Sequence, residues 1–114
     1  MESPFKNDPF AVVYQAFKQL YPEKQCEIWW EPCPRENEKD AYGVTDFPDG
    51  GGVPQIFIFT DFPVGQQVEI LGHELAHVAV GPEHEHDEIW YAAFEAIEKE
   101  YDKIGAELFG GDEP

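Results

Sequence analysis

The segment His73-Glu74-Leu75-Ala76-His77 combines the residue types of a metal-dependent hydrolytic site. Two histidines four residues apart project from one face of a helix, so both imidazoles can bind one ion. Glu74 lies about 100° around the helix from His73, within reach of a water on that ion. Zinc lowers the pKa of such a water towards ~7, and a glutamate can take its proton as the hydroxide attacks a carbonyl. The spacing therefore predicts His73 and His77 as zinc ligands and Glu74 as general base.

A catalytic zinc needs a third protein ligand and one open coordination position. All four histidines of the chain lie between residues 73 and 86. Gly81-Pro82 ends the predicted helix, so the next segment can fold back towards the ion. His84 and His86 both qualify by chemistry, and a carboxylate is a further alternative. We prefer His86 because it directly precedes the N-cap of the next predicted helix, and because Trp90, one turn later, can anchor it against the core.

The elements that position these residues follow from the hydrophobic pattern. Apolar residues at helical spacing after Asp8-Pro9 predict a first helix that ends at Pro22. Short β-branched and aromatic runs predict strands over residues 25–31, 41–47 and 55–60. A long helix is predicted after residues 61–63, and a last helix begins at Asp87. The order of helix, three strands, helix and helix predicts a compact α+β domain.

The chain has 114 residues, which suits one domain with one core. We therefore expect a single domain over residues 1–109 and a disordered tail over residues 110–114.

Four residues near the predicted site have two interpretations each. Glu69 lies one turn before His73 and either supports the ligands or faces solvent. Gly72 costs about 1 kcal/mol relative to alanine within a helix, and either permits close helix–strand packing or is incidental. Trp29 and Trp30 are adjacent in a strand, so one should face the core and the other solvent or substrate.

The motif at residues 73–77, the Gly81-Pro82 turn and the segment 86–91 together resemble the zinc-site region of SprT-like and WLM-type metallopeptidases. The resemblance covers residues 68–97. It implies a minimal zincin-like fold, zinc held by His73, His77 and His86, and Glu74 as catalytic base. It also implies that strand 55–60 is the sheet edge that receives a substrate as an added strand.

Two features of the SprT-like repair proteases are missing from this sequence. Glycine usually follows the third histidine in the SprT pattern, where this chain has Asp87. No basic DNA-binding tract and no cysteine-rich zinc ribbon follow the motif. The resemblance therefore implies a zinc site and does not imply repair of DNA–protein crosslinks.

Charge and composition restrict the expected partners and compartment. The net charge of −17, from 24 acidic and 7 basic side chains, repels phosphates and favours cationic peptides. No apolar run approaches the ~18 residues that span a bilayer, and the first residues do not resemble a secretory signal. We expect a cytoplasmic protein that binds neither nucleic acid nor membranes. Cys26 and Cys33 are expected to be reduced thiols, with a disulfide as the alternative.

The sequence thus favours a zinc metallopeptidase that cleaves peptide or protein substrates, with cationic ones preferred. Two alternatives belong to other classes. One is a zinc-stabilised, catalytically weak module that binds a protein partner. The other is an acidic inhibitor or mimic that acts through its surface charge.

Overall fold

A computed structural model describes residues 9–32 and 42–109 of the chain. It confirms the predicted α+β class and the predicted order of elements. Cys33, residues 110–114 and Asp8, which precedes the first predicted helix, lie outside the described residues. The elements are α1 (Pro9–Leu20), β1 (Glu27–Glu31), β2 (Gly43–Asp46), β3 (Gln55–Phe59), α2 (Val64–Val80) and α3 (Glu88–Phe109).

The two long helices begin and end at residues suited to those positions. Pro63 is the N-cap of α2. Proline has no backbone N–H, and at this position the helix needs none for its hydrogen bonds. Gly81 ends α2 with a φ of 94°, a conformation open to glycine, and its N–H donates to the His77 carbonyl. Asp87 caps α3, because its Oδ1 accepts the Trp90 backbone N–H at 2.9 Å.

The three strands form one mixed sheet in the order β1-β3-β2. β1 pairs with β3 in parallel, and β2 pairs with β3 antiparallel. The expectation that the strand beginning at Gln55 is an edge is therefore wrong, because β3 lies in the centre. Its apolar side chains explain the position, since Ile56, Ile58 and Phe59 are all buried. The edge beside the histidine-bearing helix is β2.

The helices pack on the sheet face that carries Ile56 and Ile58. Helix α2 contacts both β2 and β3, and α1 and α3 pack against α2 and against each other. Ile56, Ile58, Leu71 and Leu75 have no exposed surface, and each such side chain contributes roughly 1.5–3 kcal/mol by burial. Within residues 9–32 and 42–109, no helix combines the length and apolar character needed to cross a membrane.

The opposite sheet face carries Trp29, Phe57 and Val44 side by side across the three strands. Trp29 is 49% exposed and Val44 is 41% exposed. Trp30 points to the helix side, as the alternation along β1 requires, and its ring meets the edge of Phe10 at 5.3 Å. It nevertheless stays 37% exposed, because α1 leaves a gap beside β1.

Helix α2 approaches strand β2 closely at Gly43. A Cβ there would lie 2.8 Å from both Ile70 Cγ2 and the Phe57 carbonyl oxygen. A Cβ at Gly72 would instead meet Phe94 and Val13 at ordinary distances of 3.6 and 3.9 Å. The glycine that permits close helix–strand packing is therefore Gly43, while Gly72 faces the other helices.

Candidate metal centre

Helix α2 presents His73 and His77 on one face, as their spacing predicts. Their ring centroids are 5.1 Å apart, and both residues are half-buried. A third imidazole, from His86, lies 4.9 Å from the first ring and 5.0 Å from the second. Three histidine rings from two parts of the chain thus converge at the end of α2.

His86 reaches the other two histidines through the turn that follows α2. After Gly81 the chain reverses, and the His84 N–H donates to the Gly81 carbonyl at 3.3 Å. His86 then adopts a φ of 58°, the only positive φ of a non-glycine residue in the described part of the chain. This left-handed conformation is disfavoured by roughly 1–2 kcal/mol for most residues. It places His86 Nε2 at 3.0 Å from His73 Nε2.

The three histidines can hold one metal ion. One ligand nitrogen from each of His73, His77 and His86 lies within 4.8 Å of the other two. Tetrahedral zinc at about 2.0–2.1 Å from each nitrogen places its ligands roughly 3.4 Å apart, so the cluster fits that ion after small ring movements. Two ring nitrogens that face each other at 3.0 Å must share either a proton or a cation.

His84, the alternative third ligand, is engaged elsewhere. Its Nδ1 lies 2.8 Å from Asp87 Oδ2, and its ring is not part of the three-histidine cluster. The hydrogen bond with His84, followed by that from the Trp90 backbone, lowers the pKa of the Asp87 carboxyl. Asp87 therefore joins the turn to the first residues of α3 on either side of His86. Its two carboxylate oxygens restrain the segment that carries the third imidazole.

Trp90 lies against all three imidazoles. Its ring centroid is 4.7 Å from that of His73, 5.3 Å from His77 and 4.6 Å from His86. It is 3% exposed and stacks on Phe94 at 5.1 Å. Among the described residues, the indole N–H has no hydrogen-bond partner, a rare condition for a buried donor. This contact agrees with the predicted anchoring of His86 by Trp90.

Burial keeps the imidazoles of α2 neutral. It lowers the pKa of His73 to about 4, with further lowering by the charges of His77 and His86. Burial is also the largest cause of the lowered pKa of His77. Neutral imidazoles carry the free lone pairs that metal binding requires. At neutral pH, both side chains are therefore ready to act as ligands without first losing a proton.

Glu74 points towards the sheet and is 6% exposed. The Thr45 hydroxyl of β2 donates to its Oε1 at 2.5 Å. Burial raises the pKa of the Glu74 carboxyl, and the Thr45 hydrogen bond acts in the opposite direction. One carboxylate oxygen is thus fixed by the neighbouring strand, and within the described residues no second hydrogen bond reaches this carboxylate. Glu74 is thus a buried carboxylate that lies between α2 and β2.

Thr45 is the residue of this site that sequence reasoning missed. It lies 29 positions before Glu74, in a short strand, and no local motif marks it. The Thr45 side chain faces α2 because Thr45 pairs with Ile56 of β3, which lies on the helix side of the sheet. In the sequence, Thr45 is only a polar residue inside a predicted strand. It cannot be assigned to a site until the helix that packs against this strand is known.

Glu69, Tyr91 and Tyr101, on α2 and α3, are not part of the cluster. Glu69 is exposed on α2. Tyr91 is 57% exposed, and its ring lies 5.0 Å from that of Trp90. Tyr101 packs against the core.

Comparisons with protein families, with curated proteins and with solved structures find no match to this chain. The resemblance to SprT-like and WLM-type metallopeptidases accordingly stays a prediction that rests on the motif residues alone. What the geometry itself establishes is a three-histidine cluster able to hold a metal ion.

Proposed function

We propose that this protein is a zinc-dependent metallopeptidase in which His73, His77 and His86 bind the metal and Glu74 is the general base. The observation that carries the proposal is the three-histidine cluster with its ligand nitrogens within 4.8 Å of one another. Three histidines leave one position of a tetrahedral zinc open, as a catalytic site requires. When bound, zinc supplies Lewis-acid activation of water and polarisation of the scissile carbonyl.

In this proposal, Glu74 transfers one proton. Thr45 holds Oε1, so Oε2 is the atom that takes the proton from the attacking water and passes it to the leaving amine. The raised pKa of Glu74 makes its carboxylate a stronger base than an ordinary glutamate. Trp90 fixes the planes of the three imidazoles and excludes water from behind them.

The proposed substrate is an extended peptide that pairs with β2. This strand is the sheet edge next to α2, and Thr45 connects it directly to Glu74. A peptide added to a free edge gains main-chain hydrogen bonds, while alternate side chains determine the sequence preference. The exposed Asp46 on β2 and the net charge of −17 favour cationic side chains in such a peptide.

A second candidate function is a zinc-stabilised module that binds a protein partner without cleaving it. The observation that favours it is the 6% exposure of Glu74. In this second candidate, the hydrogen bond from Thr45 to Glu74 joins α2 to the sheet and the carboxylate takes no part in chemistry. In that case zinc would still bind, but replacing Glu74 would affect stability and not activity.

Replacement of Glu74 by glutamine separates these candidates. The amide is nearly equal in volume but cannot accept the proton, and loss of a general base costs about 10²–10⁴-fold in rate. We expect Glu74→Gln to retain zinc and to lose cleavage of a peptide library rich in lysine and arginine. Glu69→Gln removes the same charge from an exposed site on the same helix and should leave cleavage unchanged. Absence of cleavage by the unmodified protein would favour the binding module.

A further inference from the structure

A second candidate binding site lies between α1 and β1, away from the histidines. Among the residues that the structure describes, a cavity of about 500 Å³ opens there, and none of its lining residues belongs to the metal centre. This volume falls within the roughly 300–1,000 Å³ of small-molecule sites, which are mostly apolar with a few placed polar groups. The lining includes Phe10, Tyr14, Cys26, Trp30 and Leu71.

The walls of this cavity are aromatic and apolar. Phe10 of α1 and Trp30 of β1 meet edge to face across it, with ring centroids 5.3 Å apart. Leu71 of α2 belongs to the buried core and also borders the cavity. Burial raises the pKa of the Tyr14 hydroxyl and raises that of the Cys26 thiol to about 11. Both groups are therefore uncharged at neutral pH, and a ligand here meets apolar surface together with the neutral polar groups of Tyr14, Cys26 and Gln15.

The one charged residue among those that line the cavity is a cation. Lys18 Nζ donates to the carbonyl oxygens of Pro22 at 3.2 Å and of Lys24 at 2.7 Å. These two hydrogen bonds hold the ammonium group in place and leave its third N–H for another acceptor. Lys18 thus places a positive charge at the cavity, in a chain whose net charge is −17. At the cavity, this charge favours an anionic ligand over a cationic one.

We propose that this cavity binds a small apolar anion, with its ring or chain against Phe10 and Trp30 and its carboxylate or sulfonate on Lys18. The inference is independent of the metal centre, because the two sites share no residue.

Three probes with one ring system and different charge test the proposal: 1-naphthoate, 1-naphthylmethanol and 1-naphthylmethylammonium. Titration calorimetry on protein treated with a chelator should give the tightest binding for naphthoate, roughly threefold to tenfold tighter than for the alcohol. The ammonium probe should bind least tightly, despite the overall negative charge. Binding of the cation as tightly as the anion, or no binding of any probe at millimolar concentration, would overturn the proposal.

Two variants locate the binding. Lys18→Met should abolish the preference for naphthoate over the alcohol, whereas Lys99→Met, which removes the same charge from exposed α3, should retain it. Ala11→Phe should fill the cavity and weaken all three probes, whereas Ala92→Phe at an exposed position should not. Circular dichroism checks that each variant is folded, and the lysine pair decides the proposal if Ala11→Phe is not. An unchanged naphthoate preference in Lys18→Met would contradict it.

Discussion

At the scale of single residues, His86 combines a left-handed backbone conformation with a side chain that can bind a metal ion. Its φ of 58° lies in the left-handed region, which few non-glycine residues adopt, while its ring contacts His73, His77 and Trp90. Strain of this kind persists where surrounding contacts fix the residue, and it concentrates at functional sites. The backbone strain and the three ring contacts both support His86 as the third ligand.

Replacement of His86 by asparagine separates the effect of the backbone conformation from the effect of losing the imidazole. Asn adopts positive φ values more readily than most residues, so His86→Asn should leave the stability of the metal-free protein nearly unchanged. Loss of a direct ligand should weaken zinc binding by more than about 100-fold, a cost beyond that of removing an outer partner. Competition with a chelating dye measures the affinity. His84→Asn is the control and should bind zinc far more tightly than His86→Asn; the reverse order would reject the assignment of the third ligand.

The pH dependence of the metal-free protein follows from His73. Its pKa is lowered from 6.5 to about 4 in the folded state. Between these pH values the unfolded state binds more protons, so the free energy of unfolding should fall as pH drops from 6.5 towards 4. Glu74, whose pKa is raised by burial, acts in the opposite direction.

Urea denaturation of chelator-treated protein at several pH values measures this effect. His73→Gln removes one titrating group and keeps the others, so its stability should fall less steeply on acidification. Identical pH slopes for the unmodified protein and for His73→Gln would show that burial of His73 does not couple its protonation to folding.

At the scale of elements, alanine substitutions at two glycines beside the site should have opposite effects on stability. Gly43→Ala should destabilise the protein, because the added Cβ would lie 2.8 Å from Ile70 and from the Phe57 carbonyl. Gly72→Ala adds a methyl group at ordinary contact distances and should stabilise α2 by about 0.5–1 kcal/mol. Thermal unfolding of both variants in the metal-free state tests the pair. Stabilisation by Gly43→Ala would contradict the close packing of β2 on α2.

The helices were predictable from sequence, and the arrangement of the strands was not. Helical periodicity, Pro63 and Gly81 mark α2 almost to the residue, and this local pattern also identified His73 and Glu74 as candidates. Strand order depends instead on pairings between distant segments, which no local pattern encodes. This explains the wrong edge assignment for β3.

The candidate site shows the same division between local and distant information. His86 was preferred from ligand chemistry and from its place before the N-cap at Asp87, both of which are local features. The hydrogen bond from Thr45 to Glu74 joins residues 29 positions apart and required the packing of β2 against α2. The central position of β3 determines that packing, so the residue that holds the proposed base could not be found before the sheet was known.

At the scale of the whole molecule, a metal ion would join helix α2 to the turn before α3, two parts of the chain beside which α2 and α3 already pack against each other. His73 and His77 belong to α2, while His86 belongs to the turn before α3. An ion that binds only the folded state raises the free energy of unfolding by RT ln(1 + [L]/Kd), where [L] is the concentration of the free ion. Zinc would therefore hold the end of α2 against the start of α3, where Trp90 and Asp87 already make contact with the histidines or the turn.

The central claim is that His73, His77 and His86 bind one zinc ion, and the zinc content of the purified protein tests it most directly. Protein prepared without added zinc should be analysed by inductively coupled plasma mass spectrometry, beside the double variant His73→Ala/His77→Ala. We expect about one zinc per chain in the unmodified protein and almost none in the double variant, because one remaining histidine cannot hold the ion. Full zinc occupancy in the double variant, or failure of the unmodified protein to retain or take up zinc, would contradict it.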